Sequence, residues 1–268
     1  MGFLAYKEPI EYVVDNYFKR QRFLTMNRRG AEGVSLGHGA APDFIYRWEA
    51  GQYKRVPNPD HIPGSHINEI NGSLDAEYIA CGVGNWNDHL TIYRRDEDTD
   101  NFIRAFNAAR EHGGGGVNGT AITPNGSHIF HATNATQAAN RIKVIRRVGE
   151  TWGWLPSISP STAAAANFSS CDRQGIYFAV SINGTPFIQF YKRSGDTFTL
   201  LPNIAPVPLS GSSVSTFSAD GQFFFIRHTA TPFLSIYHID RETDTFTRLA
   251  TPAIIPASNG GISISGLR

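Results

Sequence analysis

The feature that most constrains this chain is a repeat. Phe187–Pro202 (FIQFYKRSGDTFTLLP) and Phe233–Leu249 (FLSIYHIDRETDTFTRL) are copies of one unit, and weaker copies begin at Phe44, Leu90 and Ile142. Aligning Tyr46, Tyr93, Ile145, Tyr191 and Tyr237 gives spacings of 47, 52, 46 and 46 residues. That period matches the ~40–50 residues of a four-stranded propeller blade.

Each copy reads as a hairpin: an apolar strand, a Gly/Asp/Glu turn, and a strand opening on Tyr53, Phe102, Trp152, Phe198 or Phe246. The aligned residue and that aromatic are 7, 9, 7, 7 and 9 positions apart. The loop therefore changes by two residues and never by one. A change of one would send the second strand's side chains to the other face, so the even step preserves the buried side. Between hairpins lies a second recurring pair of strands. Ser73–Ala80, Thr123–Phe130 and Ser218–Phe225 each place a short polar residue and an Asp/Asn-containing turn before an apolar strand, and Ser170–Ala179 reads as the same pattern with two added residues.

Five hairpins predict an all-β chain folded as a five-bladed β-propeller over residues 22–268. N- and C-terminal strands close the ring, which removes exposed sheet edges. Gly261–Gly266 reads as the last inner strand, Ala31–His38 as the strand after the first turn, and Phe23–Asn27 as its predecessor. Six blades are the alternative, with Phe3–Tyr6 and Ile10–Val14 as further strands. Residues 1–21 form a short N-terminal arm. There Ile10, Val13, Val14, Tyr17 and Phe18 have amphipathic-helix spacing, an apolar stripe suited to docking on a partner protein.

Pro186–Asn203 and Ser215–His228 together resemble the WD-repeat-like β-propeller proteins of bacteriophages, whose units carry IYKRSGDTFTKLP-type hairpins. The likeness is strongest in the last two repeats; the Leu90 and Ile142 copies lack the Lys-Arg-Ser-Gly-Asp run. The resemblance implies a non-enzymatic virion structural or attachment protein, tail- or capsid-associated, whose partners are other virion proteins.

The chemistry-bearing residues point the same way. Charged residues are 18% of the chain and the formal net charge is +1, which argues against a nucleic-acid partner. No apolar run approaches the ~18 residues of a membrane span, so no membrane insertion is expected. Charges at Lys7, Glu8 and Glu11 are unlike a signal peptide, and Cys81 and Cys171 fit no disulfide framework or metal pattern and read as buried thiols. Predicted inner strands offer Glu69 with Asn68, Asn71, Asn118, Thr120, Asn167, Ser169, Ser213, Ser215, Thr216, Ser263 and Ser265. Glycoside hydrolysis needs two carboxyls, and only one is present, so no catalytic residues and no enzyme activity are expected.

No cofactor or metal is expected either. Asp96–Asp100 lacks the Gly and the bidentate Glu of a calcium loop, and His128 and His131 fall on opposite faces of one strand. The second functional expectation is a lectin-like propeller binding a host-surface glycan. Trp86, flanked by Asn85 and Asn87 in a turn, is its candidate contact, whereas Trp152 at a repeat position is expected to pack between blades.

Overall fold

The computed structural model describes residues 23–26, 44–49, 52–55, 57, 59 and most of 67–251. Among these residues the chain is all-β, without helix. Strands β1 (Phe23–Met26), β2 (Phe44–Glu49) and β3 (Gln52–Arg55) form a three-stranded antiparallel sheet. Four further sheets are four-stranded antiparallel meanders, each built from strands consecutive in sequence. They are β4 (Ile67–Gly72), β5 (Tyr78–Val83), β6 (Leu90–Arg95) and β7 (Phe102–Ala108); β8 (Val117–Ile122), β9 (His128–Thr133), β10 (Ile142–Val148) and β11 (Thr151–Trp154); β12 (Ala166–Cys171), β13 (Tyr177–Ile182), β14 (Ile188–Ser194) and β15 (Thr197–Leu200); and β16 (Ser212–Phe217), β17 (Phe223–His228), β18 (Leu234–Asp240) and β19 (Thr245–Arg248).

The first strands of these four sheets lie side by side, β4 against β8, β8 against β12, and β12 against β16. Each sheet therefore faces its neighbours in sequence order. Its second strand is sandwiched: every residue of β5, β9 and β13 is buried. Alternation along the strands sends Tyr78, Ala80, Leu90 and Ile92 to meet Ile122, Ile129 and Ile145, while Ala121, Phe130 and Val144 from the other face meet Phe178, Val180 and Tyr191.

The hairpins follow the even-step reading. Tyr46, Ile145 and Tyr191 pair with Arg55, Trp154 and Leu200, nine positions on, while Tyr93 and Tyr237 pair with Arg104 and Arg248, eleven on. Phe102, Phe198 and Phe246 are accordingly buried. Gly149 and Gly195 open the two-residue loops with φ of 59°, as a II′ hairpin turn requires.

The second motif is a five-residue clasp. Ser73, Thr123, Asp172 and Ser218 each donate their backbone N–H to the carbonyl five residues on, and each side-chain oxygen accepts the N–H of that same residue. Gly126, Gly175 and Gly221 complete three of these turns at φ of 64–70°. The expected two-residue insertion at Ser170 is therefore corrected: Asp172 occupies the Ser/Thr position, and a carboxylate does the work of a hydroxyl.

A second correction concerns the start of the array. Phe23–Asn27 is read from the sequence as the predecessor of Ala31–His38, yet its Phe23–Met26 strand pairs directly with β2, Phe23 opposite Arg47 and Met26 opposite Phe44. Ala31–His38, Gly261–Gly266, residues 1–21 with Ile10, Val13, Val14, Tyr17 and Phe18, and the Asn85–Asn87 turn with Trp86 lie outside the described residues.

Successive sheets are stitched at the hairpin rim. Arg94 meets Glu150 at 2.5 Å, Arg146 meets Asp196, and Lys192 meets both oxygens of Asp244 at 2.8 Å. Each cation directly follows an aligned repeat residue, and each acid lies two before the aligned aromatic of the next repeat. Exposed pairs of this kind contribute about 0–1 kcal/mol each, so they set how sheets align more than how stable they are.

Within this ladder His128 is buried with Nε2 2.9 Å from Asp196 Oδ1. Burial lowers its pKa, Asp196 opposes that, and Arg193 and Arg146 reinforce it. The unfolded chain thus binds this proton more readily, so stability is full above the ordinary imidazole value of 6.5 and declines as pH falls below it. His128→Phe, which installs the ring the repeat carries at Phe223, is expected to flatten that decline. Urea midpoints at about pH 7.5 and 5.5 in the two proteins measure it.

Candidate functional site

The inner strands share one irregularity. Each is interrupted by a β-bulge at the same place, between Ile67 and Glu69, Val117 and Gly119, Ala166 and Ser169, and Ser212 and Val214. The register skips Asn68, Asn118, the Asn167–Phe168 pair and Ser213. A bulge frees a residue from the ladder and re-aims its neighbours, and such features gather beside functional sites. Here they fall on the strands that adjoin one another.

Glu69 follows the first bulge, four residues before the clasp residue Ser73, the position held by Gly119, Phe168 and Val214 in the other three strands. Its Oε2 accepts the Thr120 N–H at 2.7 Å, and the carboxyl also accepts from the Ser169 N–H and the Asn71 side chain. Asn71 Nδ2 donates to the Thr120 carbonyl at 2.5 Å. Two residues of β4 thereby satisfy both backbone groups of Thr120, and Glu69 spans β8 to reach β12. Further round, Asn118 Nδ2 lies 3.4 Å from the Ala166 carbonyl and 3.3 Å from Asn167 Oδ1, and Ser170 Oγ lies 3.4 Å from Ser215 Oγ.

Gly119 makes this convergence possible. A Cβ there would lie 2.5 Å from the Asn167 carbonyl oxygen and 2.7 Å from Ser169 N, so only glycine lets β12 approach closely enough to present its N–H beside that of Thr120.

Burial pushes the Glu69 carboxyl up from 4.5 to about 8, and the three hydrogen bonds only partly counter it. Such a group is mostly protonated at neutral pH yet loses its proton within reach of it, the condition for acid–base work. Thr120 Oγ1 is buried beside it without a hydrogen-bond partner. Among the described residues no cluster of three or more His, Cys, Asp or Glu side chains could hold a metal ion.

Other sequence-predicted candidates separate from this site. Asp96 in the acidic turn accepts the N–H groups of Asp98 and Thr99. His128 and His131 do point to opposite faces, the first to Asp196 and the second to Trp154. Trp152 packs edge-on against Tyr78 of the preceding sheet at 5.5 Å, the inter-sheet role expected for it. Cys81 is buried and Cys171 only half-buried, and neither forms a disulfide. Sequence reasoning named Glu69 but weighed it by counting carboxyls; its strength lies in its surroundings. The bulges went unseen because one unpaired residue leaves no mark on a period of about fifty.

No family model matches the chain, and no curated protein does. Solved structures do. A protein provisionally described as a 6-phosphogluconolactonase from Bacteroides fragilis aligns over 91% of this chain and 72% of its own, with TM-score 0.66 and 10% identity. The periplasmic gluconolactonase of Pseudomonas aeruginosa aligns over 86% and 69%, with TM-score 0.60 and 16% identity. A Bacteroides uniformis protein, also provisionally described as a 6-phosphogluconolactonase, aligns over 90% and 85%, with TM-score 0.52 and 12% identity.

The fold is β-propeller-like. At these identities the likeness establishes architecture alone. It does overturn the expectation of a non-enzymatic virion protein. That reading rested on hairpin sequences, whereas the three structures just named are described as lactonases.

Proposed function

We propose that this propeller-like chain hydrolyses a cyclic ester of an uncharged sugar acid, with Glu69 as the general base. The observation that carries the reading is the position of Glu69: a carboxyl raised to about 8, clamped by Thr120 N–H, on bulged strands lined with amides and hydroxyls. Ionised Glu69 takes a proton from water as that water attacks the ester carbonyl. The ring C–O bond breaks, and the proton passes to the departing alkoxide. Asn118, Asn167 and Ser170 supply the hydrogen-bonding groups that suit the hydroxyls of a polyol. β4, β8, β12 and β16 carry no Lys or Arg, so these strands favour an uncharged substrate over a phosphorylated one. The lactonase descriptions of the fold neighbours support a lactone substrate, and the Pseudomonas aeruginosa gluconolactonase an unphosphorylated one.

Hydrolysis of glucono-δ-lactone, followed by pH-stat with the uncatalysed rate subtracted, tests the reading. The rate is expected to rise as pH passes through about 8, where Glu69 ionises. Glu69→Gln is expected to lower it by at least about 100-fold, the lower range of a general base's contribution. The same variant has a stability signature of opposite sign. The folded state holds the Glu69 proton more tightly than the unfolded state, so stability is lost as pH rises from 4.5 to about 8. Glu69→Gln is therefore expected to be more stable than the parent near pH 9. A variant as active as the parent, or a parent no faster than buffer, would sink the assignment.

A further inference from the structure

A second group of reactive side chains lies away from Glu69, on the rim where the clasp turns and hairpins emerge. Ser127 Oγ is 2.9 Å from His128 Nδ1, and His128 Nε2 is 2.9 Å from Asp196 Oδ1. Two sheets build it: Ser127 and His128 enter β9, while Asp196 sits in the β14–β15 turn. The imidazole is fixed edge-on against Phe198 at 6.1 Å, and Arg146 holds the other Asp196 oxygen.

The repeat provides the internal comparison. At the two positions of Ser127 and His128 the other turns have Glu77 and Tyr78, Ile176 and Tyr177, and Gln222 and Phe223. In the next sheet Tyr177 reaches Asp244 through its hydroxyl at 2.5 Å, an inter-sheet bond of the same kind. Only in the β8–β11 sheet does the pair become a base and a hydroxyl. An inter-sheet bond alone requires no serine there.

We propose that Ser127, His128 and Asp196 form a nucleophilic serine site that accepts acyl groups from small esters. Asp196 accepts the Nε2–H, which leaves the Nδ1 lone pair facing the Ser127 hydroxyl; the ring nitrogens exchange roles relative to the usual serine hydrolase, but the proton path is equivalent. Ser127 Oγ also donates to Asn125 Oδ1 at 2.8 Å and lies 3.2 Å from Thr123 Oγ1, so its proton must turn from Asn125 to Nδ1 for the attack. Ser127 is half-buried beside the exposed Asn125. In the reaction Oγ bonds to the acyl carbon as the C–O bond to the alcohol breaks. The hydroxyl proton moves to Nδ1 and on to the leaving alkoxide, and water then releases the acid by the same route.

The test is labelling of the full chain with an alkyl fluorophosphonate, in which an Oγ–P bond forms and HF leaves, read by intact mass and peptide mapping. One adduct is expected, mapped to Ser127, absent from Ser127→Ala and formed at least tenfold more slowly in Asp196→Asn. No adduct, an adduct elsewhere, or unchanged labelling in Asp196→Asn overturns the proposal. Mapping uses the unaltered protein, so the outcome does not depend on a variant folding. It also does not depend on lactone hydrolysis.

Discussion

Asp172→Ala is expected to cost about 3–5 kcal/mol, the range for removing one partner of a buried ion pair. The Asp172 side chain is fully buried. Its Oδ1 accepts the N–H groups of Ile176 at 2.7 Å and Tyr177 at 2.9 Å, and its Oδ2 meets Arg241 Nη2 at 2.8 Å. Alanine would leave two backbone donors without their acceptor and the largely buried Arg241 guanidinium with only the neutral oxygens of Gln174 and Gly221. Arg241 comes from the β18–β19 hairpin, so one carboxylate secures both its own turn and the neighbouring sheet. Asp172→Ser separates the two roles: it restores the hydroxyl found at Ser73 and Ser218 but not the ion pair, and should fall between parent and alanine. Urea unfolding of the three proteins checks the order, and a loss below about 1 kcal/mol for alanine would contradict the account.

Gly119→Ala is expected to be nearly as damaging although it adds one methyl. The new Cβ would meet Asn167 O at 2.5 Å and both Phe168 Cα and Ser169 N at 2.7 Å. All three are backbone atoms, so relief requires β8 and β12 to separate. Overpacking typically costs about 1–3 kcal/mol, occasionally more, and the fixed backbone on the far side puts this site at the upper end. Separation would also withdraw Ser169 N–H from Glu69, so lactone hydrolysis should fall with stability. Gly153→Ala is the control: its Cβ meets nothing within 4 Å, and its effect should stay within about 0.5 kcal/mol.

Much of the architecture was legible because it repeats. Hairpin length shifts by two, and the register pairs Tyr93 and Tyr237 two residues further on than Tyr191, as that shift demands. The clasp was legible in three repeats and misaligned in the fourth, since nothing local reveals that the carboxylate of Asp172 replaces a hydroxyl. Phe23–Met26 was recognised as a strand but not its neighbour, because strand pairing is a non-local choice that a short segment does not encode. Glu69 stood out by type alone. Its raised pKa depends on Thr120, Ser169 and Asn71, and on the close approach that Gly119 allows, none of which is adjacent to it in sequence except Asn71. The hairpin likeness that suggested a virion role came from residues such as Lys192, Arg193 and Asp196, which serve inter-sheet and turn contacts here. Ser127 and His128 did break the repeat in plain view, but the histidine was judged only as a metal ligand beside His131.

The bulges leave Glu69, Gly119, Phe168 and Val214, each four residues before its clasp, at four equivalent positions on neighbouring strands. Only one of them carries an acid. Shifting that acid to the Phe168 position by Phe168→Glu with Glu69→Gln would turn the reactive group by two strands while leaving each sheet's pairing intact. A scaffold of this kind can therefore change the direction from which it attacks a substrate by exchanging side chains at fixed mounts, with no new loop required.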